Sequence, residues 1–491
     1  MGTRLNNVRV VSGDKVIYVS PGKIVDVEDH FKIRNAYYNE RSLYCGVTSD
    51  KKLLISSDIS EFQKTHAYDK DNLAFLMSNA DHVTPLTGYK GVYELLPGTM
   101  LDFEFGQLSG LQVDIVTPNT LHTAEHGIDK ITQVLDTIPK EPCISMLISG
   151  GRDSCLLAFV FRKVMGYPVK AVHVYDSRKA ITNDTRIAQS FTKSQGIPLK
   201  LVDISQYVDK FGTTPRIVRH SIPNMGSFFP SMSRDIVEHF GSEHVWTGQG
   251  GDQIFGEVQT KWPLNIIGPS AAAFSAYEKS WHSLFSEDDI GTRNEYGPMY
   301  SRANSFMSAD HEFKLLEDVY CPFDNISESL PTGDACRYYN MLFARKTHNG
   351  LNNAHYLHEV TPFTHPELIK FFATGYQTQS ITEGLPRAFQ VEMMRKLGIE
   401  DEHINCVKDF INRDAVRFAT NECKSNILSF LQGSILSEFG LLDLDKLETD
   451  FQFSNKDQFD RLGLWDLLRV EYYLQNSQFS PDSVSETDKQ Y

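Results

Sequence analysis

Two glycine-rich stretches of this chain carry side chains that could do chemistry on a phosphate. The first is Ser149-Gly150-Gly151-Arg152-Asp153-Ser154 and the second is Thr247-Gly248-Gln249-Gly250-Gly251-Asp252. Glycines let a backbone approach phosphate oxygens closely, and the first N–H groups of a following helix then point at them. Ser149 and Ser154 add hydroxyl donors to such a cradle. Neither loop is closed by a lysine, which excludes the lysine-closed phosphate loop of the common NTPases. Each carries an acid instead, Asp153 or Asp252. An acid beside bound phosphates needs a cation between them, so the expected arrangement is Mg²⁺ held by Asp153 and Asp252 against the phosphates of ATP. Taken singly, either loop reads equally as an ordinary strand-to-helix turn with a Ser or Asp cap.

The elements around these loops must hold them at the same place. Cys143 to Ile148 is an apolar run that reads as a buried strand, and Leu156, Ala158, Phe159, Phe161 and Val164 are spaced as a helix. Thr123 to Leu135 reads as a helix entering this region. Val169 to Tyr175, after the Gly166-Tyr167-Pro168 breaker, reads as a parallel strand. An amphipathic helix follows from Asn183 to Gln195, closed by Gly196-Ile197-Pro198, and then a strand from Leu199 to Val202. Ser231 to Phe240 reads as a further helix, and Val245-Trp246 leads into the second loop. This alternation specifies an α/β, doubly wound parallel sheet that binds ligands at the carboxyl ends of its strands, where both loops fall.

The first part of the chain has a different texture. Val8 to Val11, Val16 to Val19, Leu43 to Val47, Leu53 to Ser56 and Leu101 to Phe105 are short runs divided by Gly, Asp, Asn and Lys. Such spacing predicts a mainly antiparallel β domain over residues 1–125, before an α/β domain over 126–476. Residues 477–491 are polar and are expected to be a disordered tail. In 258–340, Glu287-Asp288-Asp289 reads as solvated loop acids rather than as ligands.

With 491 residues, 41% of them hydrophobic and 11% aromatic, the chain is long enough for two globular domains. A net charge of −15 without any Lys/Arg block argues against nucleic acid as the main partner. No apolar run is long enough to insert in a membrane, the start has no signal-peptide pattern, and Asn6 replaces the Ser or Thr of a myristoylation signal. Seven cysteines without paired spacing fit reduced thiols in a cytoplasmic protein, and no zinc motif is present.

Together, and in this order, the two loops resemble the paired signatures of the class II asparagine synthetase family, of the PP-loop ATP pyrophosphatase type. The family's second signature is usually written SGEGSDEIFGG. Residues Glu359 to Leu368 resemble its E-x-R-x-P-F-L-D segment, with Thr364 and His365 in place of Leu and Asp. Leu385 to Leu397 resemble its GK-x-x-L-R helix. In the first part, Leu43-Tyr44-Cys45, Leu54 to Asp58 and Glu94 to Gly98 resemble the later strands and the LPPG turn of a shortened glutaminase-like domain.

The resemblance implies an enzyme that cleaves ATP between its α and β phosphates, forms an acyl-adenylate and lets an amine displace AMP. Ser149, Gly150, Gly151, Asp153 and Ser154 would then hold phosphate, the adenine would lie near Val174 and Gly248, and Asp153 and Asp252 would hold Mg²⁺. Lys408 falls where the family's late catalytic lysine is expected, stabilising developing negative charge. Gln249 stands where asparagine synthetases have Glu and β-lactam synthetases Tyr; an amide cannot titrate, so it would orient substrate. Tyr338, Tyr339 and His358 are then candidate bases, and Arg152, another departure, could meet phosphate, acyl substrate or solvent.

Residue 2 is Gly rather than the family's glutaminase cysteine, and Cys45 sits in an apolar run as a packed thiol. Glutamine is therefore not the expected nitrogen donor. Family members in that state include β-lactam synthetases and lasso-peptide macrolactam synthetases, whose substrates carry their own amine. Gln249 in place of Tyr favours the macrolactam type, in which a precursor peptide's amine attacks its own activated Asp or Glu. The carboxylate substrate would then be a precursor peptide, with a companion protease or peptide-binding protein as partner. Ammonia or a separate amine as nucleophile, a β-lactam synthetase, and a nucleotide-binding module without catalysis remain alternatives.

Overall fold

The apolar run before the first loop forms the central strand of a five-stranded parallel sheet. The computed structural model describes residues 8–20, 22–34, 43–63, 65–70, 72–73, 76, 86–96, 99–113, 122–178, 182–210, 230–242, 244–255, 358–365, 367–368, 371–372, 381–382, 385–405, 423–453, 467–468 and 470–475. The chain begins with strands β1 (Val8–Ser12), β2 (Lys15–Val19), β3 (Lys23–Asp26), β4 (His30–Arg34), β5 (Tyr44–Val47), β6 (Lys52–Ser56), β7 (Val92–Glu94), β8 (Thr99–Glu104) and β9 (Gln107–Val113). They form two antiparallel sheets, ordered β2-β1-β4-β8-β9 and β3-β6-β5-β7. Sequence patterning locates β1, β2, β5, β6 and β8 but not β3, β4, β7 or β9. The reason is visible in β4, where Phe31 and Ile33 are buried between exposed His30, Lys32 and Arg34. Two apolar residues in five are too few to stand out from a loop.

Helix α1 (Ala124–Thr137) leads into the second half, its start fixed by a capping box between Thr123 and His126. There follow β10 (Ile144–Leu147), α2 (Arg152–Phe159), β11 (Val169–Tyr175), α3 (Asn183–Gln195), β12 (Leu199–Asp203), α4 (Pro230–Phe240), β13 (His244–Trp246), α5 (Gly251–Phe255) and β14 (His358–Val360). Helix α2 runs on as a π-helical turn from Val160 to Val164. Helix α3 stops because Gly196 takes the left-handed conformation at φ 63°. The sheet order is β12-β11-β10-β13-β14, and every pairing is parallel. The connection reverses direction after β12, so β10 and β13 lie side by side with their following loops at one edge. A sheet wound in this sense leaves a crevice there, outside the carboxyl ends of its strands.

The two-stranded ribbon of β15 (Ile381–Thr382) and β16 (Leu385–Pro386) precedes α6 (Ala388–Lys396) and α7 (Asp401–Ile404). Helices α8 (Lys424–Leu431), α9 (Ile435–Glu438) and α10 (Leu444–Phe453) complete the described elements in chain order. No helix among the described residues is long and apolar enough to cross a membrane.

Candidate active site

The first loop leaves β10 by way of Ile148, whose N–H still bonds the Val172 carbonyl at 2.9 Å. Gly150 then turns at φ 79°, where a Cβ would collide with the Asp184 carbonyl of α3, so only glycine fits. The two serines fold the loop on itself. Ser149 N–H donates to Ser154 Oγ at 3.2 Å, Gly151 N–H donates to Ser149 Oγ at 3.2 Å, and Ser154 Oγ donates to the Gly151 carbonyl at 3.0 Å. Gly151 is the N-cap of α2 and, having no side chain, supplies no side-chain cap.

The second loop presses directly onto the first. A Cβ on Gly248 would meet the Ser154 amide and Asp153, and a Cβ on Gly251 would meet the Asp153 carboxylate. Gly250, at φ 89°, passes as closely over Phe363 and Thr364. Three glycines thus allow three backbone contacts that any side chain would block. Both sequence motifs come together at the switch in strand order, with Asp252 following Gly251 in α5; the Asp252 side chain lies outside the described atoms.

Asp153 is 6% exposed and turned inward rather than toward solvent. Arg387 Nη1 donates to its two oxygens at 3.2 and 3.1 Å, and Gln390 Nε2 donates to Oδ1 at 2.7 Å. Arg387 takes a left-handed backbone at φ 66°, ψ 54° as the N-cap of α6, uncommon for a residue with a Cβ. The ion pair to Asp153 and the burial of both side chains hold it there. Arg152 does not point to solvent: it is buried, and its Nε donates to the Ile404 carbonyl of α7 at 2.8 Å.

Behind the loop, His173 of β11 bridges it to α3. Nδ1 lies 2.7 Å from the Ile148 carbonyl and Nε2 lies 3.0 Å from Thr185 Oγ1. Burial holds this imidazole below the usual histidine range, so it is neutral. A carbonyl only accepts, so Nδ1 carries the proton and Nε2 accepts from Thr185. Val174 is half-buried on the same strand, paired with Val202. Beyond it, Arg178 grips Asp176 through two bonds of 2.7 Å, and Asp203 accepts the N–H groups of Ser177 and Ser205.

No protein-family model matches the chain, and no curated protein matches it either. Among solved structures it is similar to the U34-tRNA thiolase NcsA of Methanococcus maripaludis, at 17% identity and a TM-score of 0.23, over 45% of this chain and 78% of that one. It is also similar to the NH3-dependent NAD synthetase of Campylobacter jejuni, at 13% identity and a TM-score of 0.21, over 37% of this chain and 93% of that one. Neither neighbour's activity transfers to this chain at such values.

The strongest titratable signal in the site belongs to Glu359 of β14. Burial pushes its carboxyl up to about 7, against an opposing hydrogen bond from Thr247, the residue that opens the second loop. The Thr247 N–H bonds the Val360 carbonyl at 3.0 Å, and Gln249 N–H meets Thr247 Oγ1 at 3.4 Å, so Thr247 links β14 to the second loop. A carboxyl of this kind can take or give a proton near neutrality. Glu359, Arg387 and Gln390 lie within the segments Glu359 to Leu368 and Leu385 to Leu397, where residue type and spacing assign them no role. The available signal was chemical: charged and amide groups inside otherwise apolar runs, where burial demands a partner.

Gln249 is partly buried. Lys408, Tyr338 and Tyr339, and the side chain of His358, lie outside the described residues. Cys45 is buried, and burial drives its thiol far above the ordinary range, which keeps it protonated.

Proposed function

We propose that this chain is an ATP-dependent amide synthetase that adenylates a carboxylate and releases pyrophosphate and then AMP. The interlocking of the two glycine loops over Asp153, at the switch in strand order, carries the reading. Ser149, Gly150, Gly151 and Ser154, at the strand-to-helix turn before α2, would receive phosphate, with the adenine near Val174 and Gly248. Each of the two touching loops carries an acid, and a magnesium ion shared with phosphate would be held by Asp252 together with Asp153, on an oxygen lone pair that the Arg387 and Gln390 bonds to Asp153 leave over. When bound, that ion would neutralise charge on departing pyrophosphate.

The substrate carboxylate oxygen attacks the α-phosphorus and pyrophosphate leaves. The amine nitrogen then attacks the acyl carbon, AMP leaves, and the amine proton passes to ionised Glu359. Gln249 orients the substrate and Lys408 stabilises the developing negative charge. Within this class we favour a peptide macrolactam synthetase of the lasso-peptide type, with a precursor peptide as substrate and a protease or peptide-binding protein as companion. Gly2 stands where the family has its glutaminase cysteine and Cys45 is a buried, packed thiol, which is consistent with an amine carried by the substrate itself. A doubly wound synthetase region over 126–476, a glutaminase-like region over 1–125 and a tail over 477–491, in a cytoplasmic enzyme, complete the reading.

The deciding experiment is pyrophosphate and AMP release from ATP with Mg²⁺ and a panel of carboxylates and core peptides. Asp153→Asn and Asp252→Asn should each abolish release, and a peptide product should be lighter by one water. Full turnover in both variants would refute the synthetase. A second reading, a nucleotide-binding module without catalysis, is favoured by the Arg387 ion pair on Asp153. Tight ATP binding with no AMP from any substrate would select it.

A further inference from the structure

Away from the phosphate loops, three potential ligands converge on α7. His403 is 1% exposed, and neither ring nitrogen has a hydrogen-bond partner among the described residues. A buried imidazole with both nitrogens unmatched is unfavourable, so its presence asks for another partner. Its Nε2 faces two carboxylates, lying 3.3 Å from Glu402 Oε1 and 3.7 Å from Glu400 Oε2. One ligand atom from each of the three residues falls within 4.8 Å of the others. The carboxylates are exposed and can close inward, whereas the imidazole is fixed against Phe191, ring edge to face at 5.4 Å. Glu402 already has an outer partner, because Ser190 Oγ of α3 donates to the same Oε1 at 2.6 Å.

We propose that Glu400, Glu402 and His403 form a binding site for a first-row divalent transition ion such as Zn²⁺. One imidazole nitrogen with two carboxylate oxygens is a donor set for such ions, while Mg²⁺ prefers oxygen alone. Two negative charges balance the ion, water completes its coordination, and the Ser190 hydroxyl orients one ligand as outer partners do at metal centres. Occupancy also reaches the nucleotide loop. Ile404, the residue after His403, supplies the carbonyl that holds Arg152, which is adjacent to Asp153. An ion joining α7 to the Ser190 side of α3 would fix that anchor.

The full chain, stripped with chelator, is titrated with Zn²⁺ by calorimetry in excess Mg²⁺ and without nucleotide, so the result stands apart from the synthetase reading. One equivalent of Zn²⁺ should bind and raise Tm. Glu400→Gln and Glu402→Gln, both at exposed positions, should each weaken that equivalent at least about tenfold with unchanged metal-free Tm, and Ser190→Ala about tenfold. Co²⁺ substitution should give a spectrum of nitrogen and oxygen ligation without thiolate charge-transfer bands. No Zn²⁺ binding, or affinity unchanged in both Glu variants, overturns the proposal and leaves His403 beside two carboxylates with no ion between them.

Discussion

Asp153 and Glu359 are two buried carboxylates of one site with different companions. Asp153 is met by a guanidinium and an amide N–H, whereas Glu359 has the Thr247 hydroxyl and is pushed up to about 7 by burial. A carboxyl raised in the fold from its usual 4.5 stabilises the protein when protonated, so this contribution is complete below 4.5 and lost as pH rises through about 7. The wild type should therefore lose on the order of 3 kcal/mol relative to Glu359→Gln across that window, read as Tm against pH. Turnover should instead rise through pH 7 in the wild type and stay low and flat in the variant. A Tm difference independent of pH would show that Glu359 does not titrate there. For Asp153 the expectation concerns its partner. Arg387→Met should destabilise by about 3–5 kcal/mol in urea unfolding, because it strands a buried charge, and Asp153→Asn in that background should recover most of the loss. A loss fully additive in the double variant would mean that the ion pair contributes nothing.

At the scale of elements, the site is two strand-loop-helix units whose loops touch through glycine. Gly251→Ala puts a methyl against the Asp153 carboxylate, which Arg387 and Gln390 hold in place. ATP affinity in equilibrium dialysis should fall at least about tenfold, or 1.4 kcal/mol. Gly433→Ala, which meets nothing within 4 Å, should bind as the wild type does. Equal affinity in the two variants would show that the loops need not touch. These units were legible in sequence because a mostly apolar strand, a glycine pair and a periodic helix each leave a local signature, and Gly196 marks the end of α3. The pairing of Asp153 with Arg387 and Gln390 was not legible. It joins residues 234 and 237 positions apart, and no local pattern encodes such a contact. The same holds for Arg152, whose residue type left phosphate, acyl substrate and solvent open and whose Nε bonds the Ile404 carbonyl, 252 positions away.

Across the whole molecule, one apolar core runs from Val10, Ile33 and Leu101 of the antiparallel sheets into Ile144 and Met146 and on to Phe389 and Met394. A second joins Phe62 and Tyr89 to Leu431 and Tyr473 near the other end of the described chain. Lys70 Nζ reaches the Phe439 carbonyl at 3.0 Å across this second core. Segments distant in sequence therefore complete each other's packing, as the Asp153 ion pair already does on a smaller scale. That pair has a bearing on how the protein is made. On the ribosome, the first glycine loop emerges long before Arg387 and Gln390, the partners of its acid, so on the proposed function nucleotide is not expected to template early folding of the nascent chain. Crosslinking of an ATP analogue to stalled chains should begin only when residues through Ile404 have left the ribosome. Crosslinking to chains that end before Arg387 would show the loop competent alone. On the proposed function, the first glycine loop is then among the first parts of the site to be translated and among the last to be usable, and a chain stopped between the second motif and Arg387 is expected to carry both signatures without binding ATP.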